Sequence, residues 1–207
     1  MVEKKKLSRR KMDKLRHRHQ MLAAALDLFA AKGYHNVSMH EIAGKAEFAI
    51  GTLYSFFKNK EDLYKALIVE MTDEYHRILS DALFKENDTL AAIGEYIAAK
   101  AEFFTNSVAT LRLYFAETRG ASFNIKAGLD QDIRNLYDEM IEKLASTMKR
   151  GMDRKVLKEG DPYYMAVTLE GITNAFLFCW LEDPKRHLYA SNVPMIKELF
   201  LNGCLTK

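Results

Sequence analysis

Cysteine and proline are scarce in this 207-residue sequence: two of the first, Cys179 and Cys204, and three of the second. Two thiols build no disulfide framework, and neither stands in a CxxC or CxxH spacing that would hold zinc. Such sparing use fits a reducing compartment, so a cytoplasmic location is expected. With only ten glycines, collagen-like and low-complexity classes are excluded. The longest strongly apolar run, residues 175–181, is far short of the ~20 residues a spanning helix needs, and no membrane partner is expected. The N-terminus is basic but leads into no apolar segment, which argues against a signal peptide. A phosphate-cradling glycine loop and a GxSxG nucleophile turn are also missing. The six histidines form no ligand cluster, and Asp73-x-x-His76 is a single copy of what a helical metal oxidase would need twice with Glu. No catalytic residue, metal ligand or cofactor is therefore expected, and the chain is not read as an enzyme.

What is present suffices for a packed core: 48% hydrophobic residues against 29% charged. The net charge of +3 is unevenly spread. Residues 1–60 carry 13 Lys and Arg against 5 Asp and Glu, whereas residues 61–207 carry 18 against 23. A basic head and a mildly acidic body point to a polyanionic partner for the head alone.

Apolar residues recur at steps of three and four throughout, and no segment sustains strand-like alternation. In the first helix Met12, Leu15, His19, Leu22, Leu26 and Phe29 form one stripe expected to be buried, with His19 a core histidine. Gly33 ends it in a left-handed conformation. Ser38 and Glu41 read as a capping box opening a short helix over 39–45. After a turn near 46–48, a second short helix covers about 49–56. Longer helices follow over about 60–84, 89–104, 108–118 (with Ser107 a possible cap), 129–152, 162–182 and 193–203. Residues 120–128 read as a loop. Asp161-Pro162 is an N-cap followed by proline at the first helical position. The fold class is all-α, with about nine helices, divided into a basic head over 1–60 and a helical domain over 61–207.

A long helix followed by two short ones across a three-residue turn is the helix-turn-helix plan, in which the second short helix enters the major groove. Residues 26–67 carry Leu28-Phe29, Gly33-Tyr34, Ser38, Glu41-Ile42-Ala43, Gly51-Thr52-Leu53-Tyr54, Phe57-Lys58 and Lys60-Glu61-Asp62-Leu63 in order. This segment resembles the DNA-binding head of the TetR family of bacterial transcription regulators. Glu47, in the turn where the family usually has Gly, and Ala49, which cannot cap as Ser or Thr would, are departures.

The resemblance implies a regulator of double-stranded DNA, most simply a repressor on a palindromic operator. DNA contacts are expected from Ser38, Lys45, Ala49, Ile50, Gly51, Thr52, Tyr54, Ser55, Phe56 and Lys58. Hydroxyls of Thr52 and Tyr54 suit phosphate oxygens, which set register without reading sequence. Ile50 and Thr52 suit thymine methyls, the helix having no Arg, Lys, Asn or Gln for bidentate base contacts. Lys4, Lys5, Lys6, Arg9, Arg10 and Lys11 form a basic arm that could track phosphates or enter a minor groove.

The body, by the same resemblance, holds a small-molecule effector, largely apolar, and forms a homodimer through the helices at about 162–182 and 193–203. A twofold dimer would set two heads about 34–36 Å apart. Because residues 168–181 are apolar nearly all round, both faces of that helix are expected to be covered, one by a partner subunit. Pocket candidates are Phe103, Phe104, Tyr114, Phe115, Tyr137, Met140, Asn174 and Phe178. Lys100 and Arg112 could meet an anionic ligand head, although solvated or salt-bridged positions are the plainer expectation. An alternative keeps the fold but makes the chain a DNA-associated adaptor without an effector.

Overall fold

A computed structural model describes residues 9–85, 88–105, 108–119 and 131–205, with the side chains of 114–119 and 131–134 outside that description. Nine α-helices and one 3-10 turn make up the described residues, which contain no strand; a lone bridge joins Leu157 to Leu205. The chain divides into two compact units, Met1–Glu70 and Met71–Lys207, and the division falls inside one long helix.

The first unit is built on α1, Arg9–Lys32, a 3-10 turn at Tyr34–Asn36, α2 at Met39–Lys45, α3 at Ile50–Phe56 and the first residues of α4, Lys60–Lys85. Its core comprises Met21, Leu22, Ala25, Phe29, Ile42, Leu53, Phe57 and Leu63, all at most 3% exposed. Phe29, Tyr34 and Tyr64 close one end, their rings 4.8–5.6 Å apart. The buried stripe of α1 is shorter than its periodicity predicts. Met12 and Leu15 are more than half exposed, and the His19 side chain is exposed, with Nδ1 2.9 Å from Glu70 Oε1. His19 is thus a surface residue in contact with Glu70 and no core histidine; burial begins at Met21, where α2 packs against α1.

Local chemistry accounts for the ends of these helices. Gly33 has φ 76° and ψ 157°, a glycine-only region with an extended ψ in place of the left-handed helical one expected. Ser38 makes the capping box: Glu41 N–H donates to Ser38 Oγ at 3.2 Å, and Ser38 N–H to Glu41 Oε2 at 2.8 Å. Asn59 caps α4, accepting from Asp62 N–H at 2.8 Å, while Asp62 accepts from Lys58 N–H at 2.9 Å.

The second unit holds α5, Thr89–Thr105, α6, Val108–Arg119, α7, Gln131–Asp153, α8, Pro162–Glu182, and α9, Tyr189–Cys204. α7 packs on α8, α5 on α9 and α7, and α8 on α9. The core includes Leu79, Ile93, Tyr96, Ile97, Phe104, Leu144, Met148, Leu169, Leu177 and Phe200. Asp161 caps α8, accepting from Tyr163 N–H at 2.8 Å, with Pro162 first in the helix. Two sequence expectations, the 120–128 loop and a cap at Ser107, lie outside the described residues.

One difference from the sequence reading has a physical cause. α9 begins at Tyr189, four residues before the expected 193, and carries Pro194 inside it. Pro194 is exposed and early enough that only one helical hydrogen bond is lost. α8 is covered on one face only: Tyr164 is 68% and Val167 38% exposed, and Gly171, Ala175 and Cys179 continue the open stripe. α8 is also the one helix among the described residues long and apolar enough, by length and composition, to cross a membrane. Its inner face nevertheless carries a buried carboxylate, Glu170, and packs on α7 as a core helix does.

Candidate nucleic-acid interface and buried polar cluster

α3 turns one face inward and the other to solvent. Leu53, fully buried, and Phe57, 2% exposed, seat the helix. Gly51, Tyr54 and Ser55 are exposed, and Ile50, Thr52 and Phe56 half-buried. Tyr54 is 49% exposed, so it is not a packed aromatic. A Cβ built at Gly51 meets nothing within 4 Å, which places the room left by this glycine outside the protein. Ser55 Oγ donates to Thr52 O at 2.6 Å, leaving its lone pairs outward. Ala49 is the N-cap residue of α3 with no side-chain cap, and its carbonyl accepts from the Thr52 and Leu53 amides at 2.9 and 3.2 Å.

The other candidates surround that face. Ser38 is exposed at the start of α2, with its hydroxyl engaged by Glu41. Lys45, at the end of α2, is exposed and lies 3.1 Å from Asp27. Lys58 is exposed between α3 and α4. The turn between α2 and α3 is a Schellman motif: Phe48 N–H donates to Ala43 O at 2.9 Å and Glu47 N–H to Gly44 O at 3.2 Å, with Glu47 at φ 59°. Glu47, noted above as a departure in this turn, thus occupies the left-handed position of the motif.

Sequence reasoning missed how α1 supports α3. Lys14 Nζ lies 5.7 Å from the Phe56 ring centroid, the Arg18 guanidinium 5.6 Å from Phe57, and the His17 ring 5.0 Å from Phe48. Arg18 also pairs with Glu70. Lys60 ties the 3-10 turn to α4, its ammonium donating to Tyr34 O at 2.8 Å and Val37 O at 2.9 Å while lying 4.4 Å from the Tyr34 ring. The Lys32 ammonium donates to Glu41 at 2.8 Å. That bond, with the backbone and hydroxyl of Ser38, pulls the Glu41 carboxyl down to about 2.

In the body, Lys100 is neither solvated nor open to an anion. It is fully buried, and Nζ donates to both Glu170 oxygens at 2.8 Å, to Thr173 Oγ1 at 2.8 Å and to Asn174 Oδ1 at 3.0 Å. Glu170 also accepts from Tyr96 Oη at 2.6 Å and Asn174 Nδ2 at 3.1 Å. Burial pushes the Lys100 ammonium below its ordinary value against the pull of Glu170. Burial alone would raise Glu170, but the Lys100 charge and the donors around it together hold it below the usual carboxylate range. The signal was present in the sequence: Lys100 shares a helix face with Ile93, Tyr96 and Phe104, and Glu170 is the lone charge amid an apolar stretch.

Of the pocket candidates, Asn174 belongs to this cluster. Tyr137 is half-buried, its hydroxyl pushed up to about 12 by burial and then by the charge of Glu170. Phe104 is fully buried and Met140 6% exposed. Phe103 is half-buried, its ring centroid 4.9 Å from those of both Phe104 and Tyr75. Phe178 is half-buried on α8. Arg112 is exposed. The side chains of Tyr114 and Phe115 lie outside the described residues.

Residues 21–67 match the family model described as bacterial regulatory proteins, tetR family. The HTH-type transcriptional regulator RutR of Escherichia coli (strain K12) is 31% identical over 131 residues, which cover 63% of this chain and 61% of RutR. The matched part thus spans less than two thirds of that relative. The fatty acid metabolism regulator protein of Bacillus subtilis (strain 168) is 21% identical over 189 residues, covering 91% of this chain and 95% of that protein. Among solved structures, fatty acid degradation regulator FadR from Bacillus halodurans aligns with a TM-score of 0.78 at 18% identity, over 96% of this chain and 98% of that one. FadR from Bacillus subtilis, solved in complex with stearoyl-CoA, aligns at 0.77 and 20% identity, over 89% and 98%. These structures share the all-helical fold.

Proposed function

We propose that the chain, whose residues 21–67 match the tetR family model, is a ligand-responsive, sequence-specific DNA-binding repressor of that family. It leaves a palindromic operator when a small, largely apolar effector binds its body. The observation that carries this reading is the two-faced α3, held by Leu53 and Phe57 while Gly51, Tyr54 and Ser55 stand outward.

α3 lies in the major groove with Ile50 and Thr52 against thymine methyls, and Gly51 lets the backbone come close. Thr52, Tyr54, Lys45 and Lys58 meet phosphates and fix register. Arg9, Arg10 and Lys11, which open α1, add phosphate contacts beside Lys4, Lys5 and Lys6. The operator is palindromic because two copies pair through the open faces of α8 and α9. On α9 these include Met195 and Leu199, about half exposed and four residues apart. An effector releases DNA only in so far as it binds the DNA-free conformation more tightly than the DNA-bound one. The apolar interior around Phe103, Tyr137 and Phe178 supports an apolar ligand.

Sequencing the genomic fragments retained by the purified protein tests this. A recovered inverted repeat, bound by two chains and released by a compound from a metabolite screen, is the expected result. Retention of all fragments alike, with no repeat enriched, overturns it.

A further inference from the structure

The effector reading leaves the chemistry of the ligand open, and the buried cluster, on that reading, narrows it. Within the described cluster the charges of Lys100 and Glu170 balance each other. The three protons of Lys100 are taken by Glu170, Thr173 and Asn174, and each Glu170 oxygen accepts two bonds, from Lys100 and Asn174 on one and from Lys100 and Tyr96 on the other. A carboxylate entering this cluster finds the Lys100 ammonium fully engaged and faces the negative charge of Glu170.

What is left open is a donor. Tyr189 is fully buried at the start of α9, and its hydroxyl has no hydrogen-bond partner among the described residues. Burial and the charge of Glu170 keep this phenol protonated throughout the physiological range. A buried O–H with no acceptor is satisfied when a bound molecule supplies one, and where the negative charge of Glu170 is felt a neutral acceptor is favoured over an anionic one.

We infer that the effector is uncharged at its polar end and offers a carbonyl oxygen, as a ketone, ester or amide does, to the hydroxyl of Tyr189, and that the Lys100–Glu170 pair excludes its carboxylate counterpart. The apolar remainder packs among the half-buried rings of the same core. The pair acts as an internal salt that removes charge from the ligand features the site can recognise.

Matched probes on two skeletons test this with the full-length protein: decanamide and methyl decanoate against decanoate, and 2-adamantanone against adamantane-1-carboxylate. Trp180, the one tryptophan, is buried on α8 and reports binding by its fluorescence. The neutral member of a series should bind at least tenfold more tightly than its anion. Tyr189→Phe should lose about tenfold in affinity for the neutral probe without a lower melting temperature, because its hydroxyl has no partner to lose. Glu170→Gln should gain affinity for the carboxylates; if it does not fold, the wild-type and Tyr189→Phe titrations still decide. Tighter binding of the anion by wild type, or undiminished binding of the neutral probe by Tyr189→Phe, overturns the inference and leaves the effector reading standing. Silence from every probe on both skeletons defeats the effector reading and this inference with it.

Discussion

Glu47 and Lys155 are the described non-glycine residues with positive φ, at 59° and 58°. Both occupy the same position in the same motif. Lys155 N–H donates to Met152 O and Val156 N–H to Gly151 O, the pattern Glu47 and Phe48 repeat after α2. Each holds a Cβ against the following carbonyl, at a cost of about 1–2 kcal/mol that glycine does not incur. Glu47→Gly should therefore raise stability by about 1 kcal/mol, the lower figure because glycine loses more freedom on folding. Chemical denaturation measures it; an unchanged midpoint would mean the αL turn is unstrained. The same change removes a negative charge near the expected phosphates and should tighten binding to duplex of any sequence. A second side chain ties stability to pH. His76 is pushed below its usual 6.5 by burial, then by the nearby Lys143 charge, against Glu139 and Asp73. The folded chain thus resists a proton that the unfolded chain accepts. Its contribution is complete above 6.5 and declines as pH falls below that value. Thermal melts at pH 7.5 and 5.5 should show a smaller drop for His76→Gln than for wild type, and equal drops would assign the pH dependence to other groups.

Two helical glycines predict opposite behaviours. A Cβ at Gly151 in α7 would lie 2.7 Å from Leu157 Cδ1 and 2.8 Å from Thr89 Cγ2, so Gly151→Ala should cost about 1–3 kcal/mol by forcing packed side chains apart. At Gly51 in α3 nothing stands in the way, and alanine is the better helix former. Gly51→Ala should keep or raise the melting temperature while weakening operator binding on the order of tenfold. A mobility-shift titration beside a thermal melt separates the two effects. Loss of stability without loss of affinity would place the role of Gly51 inside the fold. The helix limits themselves were largely legible in the sequence, since caps and breakers act within a turn: Ser38 with Glu41, Asp161 with Pro162, Gly33. The early start of α9 was hidden because proline reads as a breaker, yet near a helix N-terminus it removes few bonds. The shortened buried stripe of α1 was hidden for another reason. Periodicity says which residues share a face, not how far the neighbouring helices reach along it.

Charge along the chain carries the remaining prediction. Of the basic excess of residues 1–60, Lys4, Lys5, Lys6, Arg9, Arg10 and Lys11 supply six positive charges. Each phosphate neutralised contributes a slope of about 0.9 to the fall of log affinity with log salt. Removing residues 1–11 should flatten that slope by one such increment for every phosphate the arm neutralises, and an unchanged slope would show that it neutralises none. The all-helical class, the basic head and the head's family signature could be read without coordinates, because hydrogen bonds and side-chain periodicity within a helix span only a few residues. The partner of Lys100 could not, since Glu170 lies 70 residues away and nothing local in either helix selects the other. Which charges are dry, which hydroxyl lacks an acceptor and which face of α8 stays open follow from how the helices pack. Burial arises between segments distant in the chain, and the energy of a charge or a polar group depends on that burial more than on its sequence neighbours.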